Sequence, residues 1–536
     1  MSESVNEAEQ PWDVEAVKAK YGFDPAALKQ KYLHERDRRR RADGNDQYLE
    51  VTGDFAHYVD DPYVDQLNRE PKTDEVDVII IGGGFGGQLA AARLQRAGIQ
   101  DLRIIEKGGD FGGTWYWNRY PGAQCDIEAY IYLPMLEEVG YVPKEKYAFA
   151  PEILDHAKAI GKTFDLYPRT LFQTEATAVV WQEEQGLWLI STNRGDALRA
   201  RYVVMSNGPL NRPKLPGIAG VDTFKGHSFH TSRWDYRYTG GDTSGNLTNL
   251  ADKRVAVIGT GATAVQCVPH LGKWAKELYV FQRTPSSVDV RGNKPTDPEW
   301  AERLQPGWQK ERMNNFNTLV TGGMAAEDLV NDGWTDIIRN LLIMVKDESQ
   351  PDLSPEAILK KLELADFQKM EQVRSRAQEL VDDPATAEAL KPYYRQFCKR
   401  PCFHDDYLPT FNRPNVKLID TQGQGVEEIT ANAVVANGET YEVDCLIFAT
   451  GFEVGTSYTR RSGYEVTGVG GQTLSEKWAD GVATLHGLTT RGFPNCFILS
   501  NTQGGFTANY PHMLDEQVSH LAYIIGAMHE RQKTRF

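Results

Sequence analysis

The chain has 536 residues, and its 59 Lys and Arg against 74 Asp and Glu give a formal net charge of −15. At about 100–200 residues per domain this is enough for roughly three domains with their own cores, so a small disulfide scaffold is excluded. A content of 40% hydrophobic and 25% charged residues is that of a globular protein, and the acidic balance argues against nucleic acid or an anionic membrane as partner.

The first residues (Ser2, Glu3, Asn6, Glu7, Glu9) lack the basic-then-apolar pattern of a signal peptide. Residues 1–70 are polar, with a helix-like stretch from Pro25 that carries the run Arg38, Arg39, Arg40, Arg41. This reads as a solvated helical face packed on the protein body, with no chemistry assigned. The continuous apolar run Val78, Ile79, Ile80, Ile81 then predicts a strand buried on both faces. It leads into Gly82-Gly83-Gly84-Phe85-Gly86-Gly87, which satisfies G-x-G-x-x-G. In such a loop the first glycine turns the chain, the second admits a pyrophosphate, and the third packs helix on strand. A helix and a second strand (102–105) follow and end at Glu106, 19 residues past Gly87 (106 − 87). A carboxylate there accepts hydrogen bonds from ribose hydroxyls and repels a 2′-phosphate. The weakly charged run 78–92 is shorter than the about 20 apolar residues of a spanning helix and rich in glycine. No membrane helix and a cytoplasmic location are therefore expected.

Residues 112–126 form a glycine-rich, aromatic loop ending in a lone acid, Asp126, which by itself reads as a capping aspartate or as a site acid. Residues 224–235 hold Phe224, Gly226, His230, Trp234 and Asp235 in the spacing F-x-G-x-x-x-H-x-x-x-W-D. A second glycine loop follows the run 255–258 and reads Gly259-Thr260-Gly261-Ala262-Thr263-Ala264. Its next strand (278–282) ends at Arg283, 19 residues past Ala264 (283 − 264). Arginine at that offset suits bidentate contact with a phosphate, so this half is expected to take NADPH and the first half FAD. Residues 293–388 are charged with helical spacing and predict a helical insertion. Lys399-Arg400 follows it. Strand-like runs are expected at 416–419 and 445–449, with a short apolar helix around 521–525. The six cysteines include no C-x-x-C pair, so neither a metal site nor a redox dithiol is expected.

The 224–235 motif resembles the fingerprint of the Baeyer–Villiger monooxygenases, flavoenzymes that insert one oxygen atom beside a ketone carbonyl. Residues 112–126 resemble that family's G-G-x-W-x-x-x-x-[FY]-P-G-x-x-x-D motif, and 444–452 its A-T-G strand end. The resemblance runs in consistent order from about residue 75 onward, and the amino-terminal extension is similar to that of members acting on bulky or polycyclic ketones.

The resemblance implies an α/β fold of two doubly wound, Rossmann-like dinucleotide-binding domains with a helical insertion. The expected division is an extension 1–70, FAD-binding parts 71–212 and 413–536, NADPH-binding parts 213–290 and 389–412, and the insertion 291–388. Implied FAD contacts are Gly82, Gly84, Phe85, Gly87, Glu106, Lys107, Thr114, Trp115, Tyr116, Trp117, Asp126, Tyr132 and Met513. Implied NADPH contacts are Gln124, Cys125, Asp126, Thr260, Gly261, Ala262, Thr263, Ala264, Gln266, Arg283, Thr284, Lys399 and Arg400. Family chemistry then runs from hydride transfer through a flavin C4a-peroxide, formed with O2 as co-substrate, to an ester or lactone. Arg400 is the implied catalytic cation and Asp126 its orienting partner. A flavin N- or S-oxygenase and an NADPH-binding sensor are the alternatives. Family members usually continue past the position of Phe536 with a segment that closes over NADPH. The partner implied is a small ketone, with the protein a monomer or weak homo-oligomer.

Overall fold

The computed structural model of the chain describes residues 13–345, 354–504 and 507–536. The run 78–81 is at most 4% exposed. Its strand, Thr73–Ile81, lies between Leu102–Ile105 and Ala197–Met205 in a parallel set, so both faces must be apolar. Cys496–Ile498 joins the far side of Ala197–Met205, also parallel, and thereby returns the carboxy-terminal region to this sheet. An antiparallel arm, Ala176–Gln182 and Leu187–Thr192, extends the sheet to Glu465–Thr467.

A second sheet of five parallel strands has the order Val416–Asp420, Glu277–Gln282, Arg254–Ile258, Cys445–Phe448, His227–His230. This corrects the expected division at residue 413. Val416–Asp420 and Cys445–Phe448 belong to the second sheet, and the chain rejoins the first sheet only at Glu465–Thr467. An apolar run shows that a strand is buried but not which sheet pairs with it. The helix expected around 521–525 is much longer, Tyr510–Glu530, started by Pro511 in its first turn and packed on the helix Phe85–Arg96.

Between the sheets' strands the insertion is helical, with Pro298–Glu302, Trp308–Val320, Gly333–Val345, Pro355–Leu380 and Pro384–Ala389. The extension forms helices Val14–Tyr21 and Pro25–Arg39; residues 1–12 of the expected extension lie outside the described residues. Asp24 caps the second helix through Ala27 N–H at 3.0 Å, and Pro25 occupies its first turn. Val17, Phe23 and Tyr32 bury their side chains with Phe367 of the insertion, and Tyr32 meets Phe367 edge-on at 5.2 Å. Further on, Tyr48–Leu49 pairs with Leu215–Pro216 at the junction of the two nucleotide-binding units. Among the described residues no helix is long and apolar enough to cross a membrane. No cluster of metal-ligating side chains occurs among them either.

Candidate active site

Both glycine loops open on one cavity of about 1360 Å³, and its first pole is built from backbone. Gly82 sits at φ +114°, where a Cβ would lie 2.2 Å from the Ser206 carbonyl oxygen. Gly84 immediately precedes the helix Phe85–Arg96 and faces Gly113 of the aromatic loop. A Cβ on Gly113, itself at φ +53°, would come within 2.8 Å of the Gly84 Cα. Two stretches of bare backbone thus meet at a helix start, an arrangement suited to a pyrophosphate. The Glu106 carboxylate accepts N–H bonds from Gly83 and Gly108, both at 2.6 Å, and keeps lone pairs for a ribose. Burial raises its pKa, and those two donors with the Lys107 charge oppose the rise. Burial pushes the Lys107 ammonium down to about 8.

The aromatic loop supplies the middle of the cavity. Thr114–Trp117 form a single helical turn, and the Trp115 indole donates to the Tyr132 hydroxyl at 3.0 Å. Beyond it the Arg400 guanidinium grips Asp126 with two parallel hydrogen bonds of 2.5 and 2.6 Å. Asp126 is 6% exposed, whereas 51% of the Arg400 side chain stays accessible and lines the cavity. Burial alone would raise the Asp126 pKa, but the Arg400 and Arg291 charges and the paired hydrogen bonds hold it below the usual carboxylate range. The Asp126 charge and the paired hydrogen bonds in turn raise the Arg400 pKa. Trp334, from the helical insertion, donates its indole N–H to the Asp126 carbonyl at 3.0 Å. Its ring centroid lies 5.7 Å from the Arg400 guanidinium carbon.

The second pole belongs to the other glycine loop. Gln266, on the helix Ala262–Trp274, accepts from the Tyr120 hydroxyl and donates to the Gln124 carbonyl, both at 2.7 Å, tying the two units across the cavity. Lys399 donates to the Thr284 and Pro285 carbonyls at 3.1 and 3.2 Å, and burial pushes its pKa down to about 8. Arg283 lies exposed beside this cluster.

The expected residues Gly82, Gly84, Phe85, Glu106, Lys107, Thr114, Trp115, Trp117, Gln124, Cys125, Asp126 and Tyr132 line the cavity. So do Thr260, Gly261, Ala262, Thr263, Gln266, Arg283, Thr284, Lys399 and Arg400. Gly87, Tyr116, Ala264 and Met513 do not. A Cβ on Gly87 would strike the Gly82 carbonyl at 1.8 Å, so Gly87 packs helix on strand. Tyr116 turns away to donate to Asp61 at 2.6 Å, and Ala264 is fully buried in the helix after the second loop. In the first turn of the last helix Tyr510, Pro511 and Leu514 line the cavity where Met513 was expected to.

The fingerprint residues Phe224, Gly226, His230, Trp234 and Asp235 also lie off the cavity and act as a brace. Burial pushes the His230 pKa down to about 3, so the ring is neutral. Its Nδ1 accepts the Ser232 N–H at 3.2 Å, leaving Nε2–H to donate to the Gly451 carbonyl at 3.0 Å. Arg233 stacks its guanidinium 3.8 Å from the Trp117 ring centroid. Arg233, Arg291 and Trp334 are the residues sequence reasoning missed. An arginine inside the fingerprint is the one signal that pointed to any of them.

Two poles that each combine bare glycine backbone at a helix start with a charged residue at the end of the next strand define a two-dinucleotide oxidoreductase. The cavity exceeds the roughly 300–1,000 Å³ that encloses one drug-sized ligand, and its residues fit FAD at the Glu106 pole and NADPH at the Lys399 pole. A family profile described as "Pyridine nucleotide-disulphide oxidoreductase" matches residues 76–315. The chain is 56% identical to neopentalenolactone D synthase of Streptomyces avermitilis over 95% of its own length and 86% of the relative's. It is 54% identical to Baeyer-Villiger monooxygenase ATR8 of Stachybotrys chlorohalonatus, over 95% of its length and 82% of the relative's. The solved polycyclic ketone monooxygenase of Thermothelomyces thermophila superposes with a TM-score of 0.87 at 40% identity, covering 94% of this chain and 85% of that one. The chain belongs to the Baeyer–Villiger monooxygenases, and its cofactors are FAD and NADPH.

Proposed function

We propose that the Asp126–Arg400 pair is the centre at which this monooxygenase inserts oxygen beside the carbonyl of a bulky or polycyclic ketone, giving an ester or lactone. When bound, NADPH supplies hydride to FAD and the reduced flavin activates O2. The chain's own residues shape everything around that chemistry. Arg400 presents a fixed charge toward the cavity, where it stabilises negative charge that develops on oxygen during insertion. Asp126 fixes the plane of the guanidinium, and Trp334 fixes Asp126. Glu106 orients the ribose of FAD, and Arg283, Thr284 and Lys399 receive the 2′-phosphate of NADPH.

The single observation that carries the reading is the bidentate Arg400–Asp126 pair opening on a cavity shared by both glycine loops. The polycyclic ketone monooxygenase among the similar structures supports the substrate class. For the domains, we assign the first sheet to FAD and the second to NADPH, with the insertion closing the Arg400 side. Six free cysteines, five of them buried, support a cytoplasmic location. We expect a monomer or weak homo-oligomer.

The test is aerobic turnover with FAD, NADPH and ketones of graded size, together with one sulfide and one amine. Esters or lactones from the larger ketones support the reading. Oxygenation confined to the sulfide or amine overturns it.

A further inference from the structure

The amino-terminal extension reaches the cofactor cavity with a cation that the reading above leaves unused. Its second helix, Pro25–Arg39, is held at its middle and at its carboxy-terminal end. The Arg374 guanidinium donates to the Tyr32 hydroxyl at 2.9 Å, and Arg38 donates to the Gln422 carbonyl at 3.2 Å. The next turn touches the helix end so closely that a Cβ on Gly423 would lie 3.1 Å from the Arg38 carbonyl oxygen. Arg39 is therefore presented from a fixed platform.

The four arginines of the run divide by partner. Arg38 pairs with Glu35 at 2.8 Å and Arg41 with Asp43 at 2.5 Å, while Arg40 is exposed and lies off the cavity. Arg39 and Arg41 both line the cavity, but among the described residues no carboxylate lies within ion-pair distance of Arg39. Its guanidinium carbon is 5.3 Å from the Tyr394 ring centroid, and the Lys399 ammonium is 5.9 Å from the same ring. Gln47, also from the extension, accepts from Arg283 at 2.9 Å. Arg39, Arg283 and Lys399 thus converge on one end of the cavity in a protein whose net charge is −15. Burial and the charges of Arg39 and Arg283 all lower the Lys399 pKa, a mutual repulsion that an anion bound between them would relieve.

We propose that Arg39 is a specificity-determining residue of the cofactor site, the outer wall of the subsite that receives the 2′-phosphate of NADPH, so that the extension helps select NADPH over NADH. The proposal rests on the assignment of Arg283 and Lys399 to that phosphate. A guanidinium supplies paired donors matched to a phosphate dianion, and without that dianion it has no partner in NADH. The competing role for Arg39 is to complement the carbonyl end of its helix, where Arg36 and Arg38 also lie. That role affects helix stability and leaves cofactor preference unchanged.

The experiment titrates the purified FAD enzyme carrying all 536 residues with NADP⁺, NAD⁺ and adenosine 2′-monophosphate, for wild type, Arg39→Ala, Arg39→Lys, Arg40→Ala and Arg283→Ala. Loss of a charge-assisted contact of about 1.5 kcal/mol predicts an about tenfold weaker NADP⁺ and adenosine 2′-monophosphate affinity in Arg39→Ala, with NAD⁺ unchanged. Arg39→Lys should recover part of the loss, and Arg40→Ala should match wild type. Unchanged flavin absorbance and thermal midpoint establish that the variants are folded. NADP⁺ affinity in Arg39→Ala equal to wild type, or equal weakening of NAD⁺ and NADP⁺, overturns the proposal. If Arg283→Ala still lowers NADP⁺ affinity in that case, the phosphate reading of the second loop stands and only the role of Arg39 falls. If Arg283→Ala also leaves the NADP⁺ preference intact, both fall.

Discussion

Replacing Arg400 by alanine removes two hydrogen bonds, of 2.5 and 2.6 Å, and leaves a carboxylate that is 6% exposed without its main cation. Loss of one fixed group aimed at developing charge costs about 2.7–4 kcal/mol, so oxygenation should fall about 100- to 1,000-fold. Reduction of the flavin by NADPH should continue, because the NADPH end of the cavity keeps Arg283 and Lys399. A buried pair broken on one side costs about 3–5 kcal/mol of stability; the half-exposed Arg400 moves this toward about 1–3 kcal/mol. Asp126→Asn in the same chain should return part of that loss, since it removes the uncompensated charge. Arg400→Lys should fall between, as an ammonium cannot make the forked contact. Anaerobic mixing with NADPH reads reduction through flavin absorbance, and product mass reads oxygenation. Ester formation by Arg400→Ala within tenfold of wild type would refute the role given to Arg400.

Burial pushes the Lys399 ammonium down to about 8, so affinity for NADP⁺ should weaken as the pH rises through about 8 and the charge is lost. Lys399→Met should abolish that slope in a titration series, and a slope surviving in the variant would contradict the assignment. Trp334→Phe removes the indole donor to the Asp126 carbonyl; at about 1 kcal/mol for the bond, turnover should drop about fivefold while bound flavin is retained. Turnover equal to wild type would show that Asp126 needs no such support. Gly113→Ala places a Cβ 2.8 Å from the Gly84 Cα in a left-handed backbone, and should yield protein with much less bound FAD. Full flavin occupancy by absorbance would contradict the close approach.

The two nucleotide-binding starts were legible because a doubly buried parallel strand must be apolar throughout and the loop after it must turn through glycine. The residues 78–84 and 255–261 carry both signals locally. The pairing of Asp126 with Arg400 spans 274 residues and could be reached only through a family resemblance. Strand partnership was less legible. Nothing in the run 445–448 marks it as a neighbour of Arg254–Ile258, since a strand buried on both faces looks alike in either sheet. Trp334 and Arg233 act through contacts made in three dimensions, and neither residue type carries a spacing rule. The arginine run at 38–41 showed its charge in the sequence, but that Arg39 and Arg41 line the cavity, and that of these two only Arg41 has an ion-pair partner, depends on how the helix is seated against the turn at 422–423.

The most direct test of the central claim is turnover of a polycyclic ketone with NADPH under heavy-isotope dioxygen. The account predicts one labelled oxygen atom in the ester linkage of the product, formed by wild type and lost in Arg400→Ala. Unlabelled product, or NADPH consumption that yields only hydrogen peroxide from every ketone tried, would contradict it.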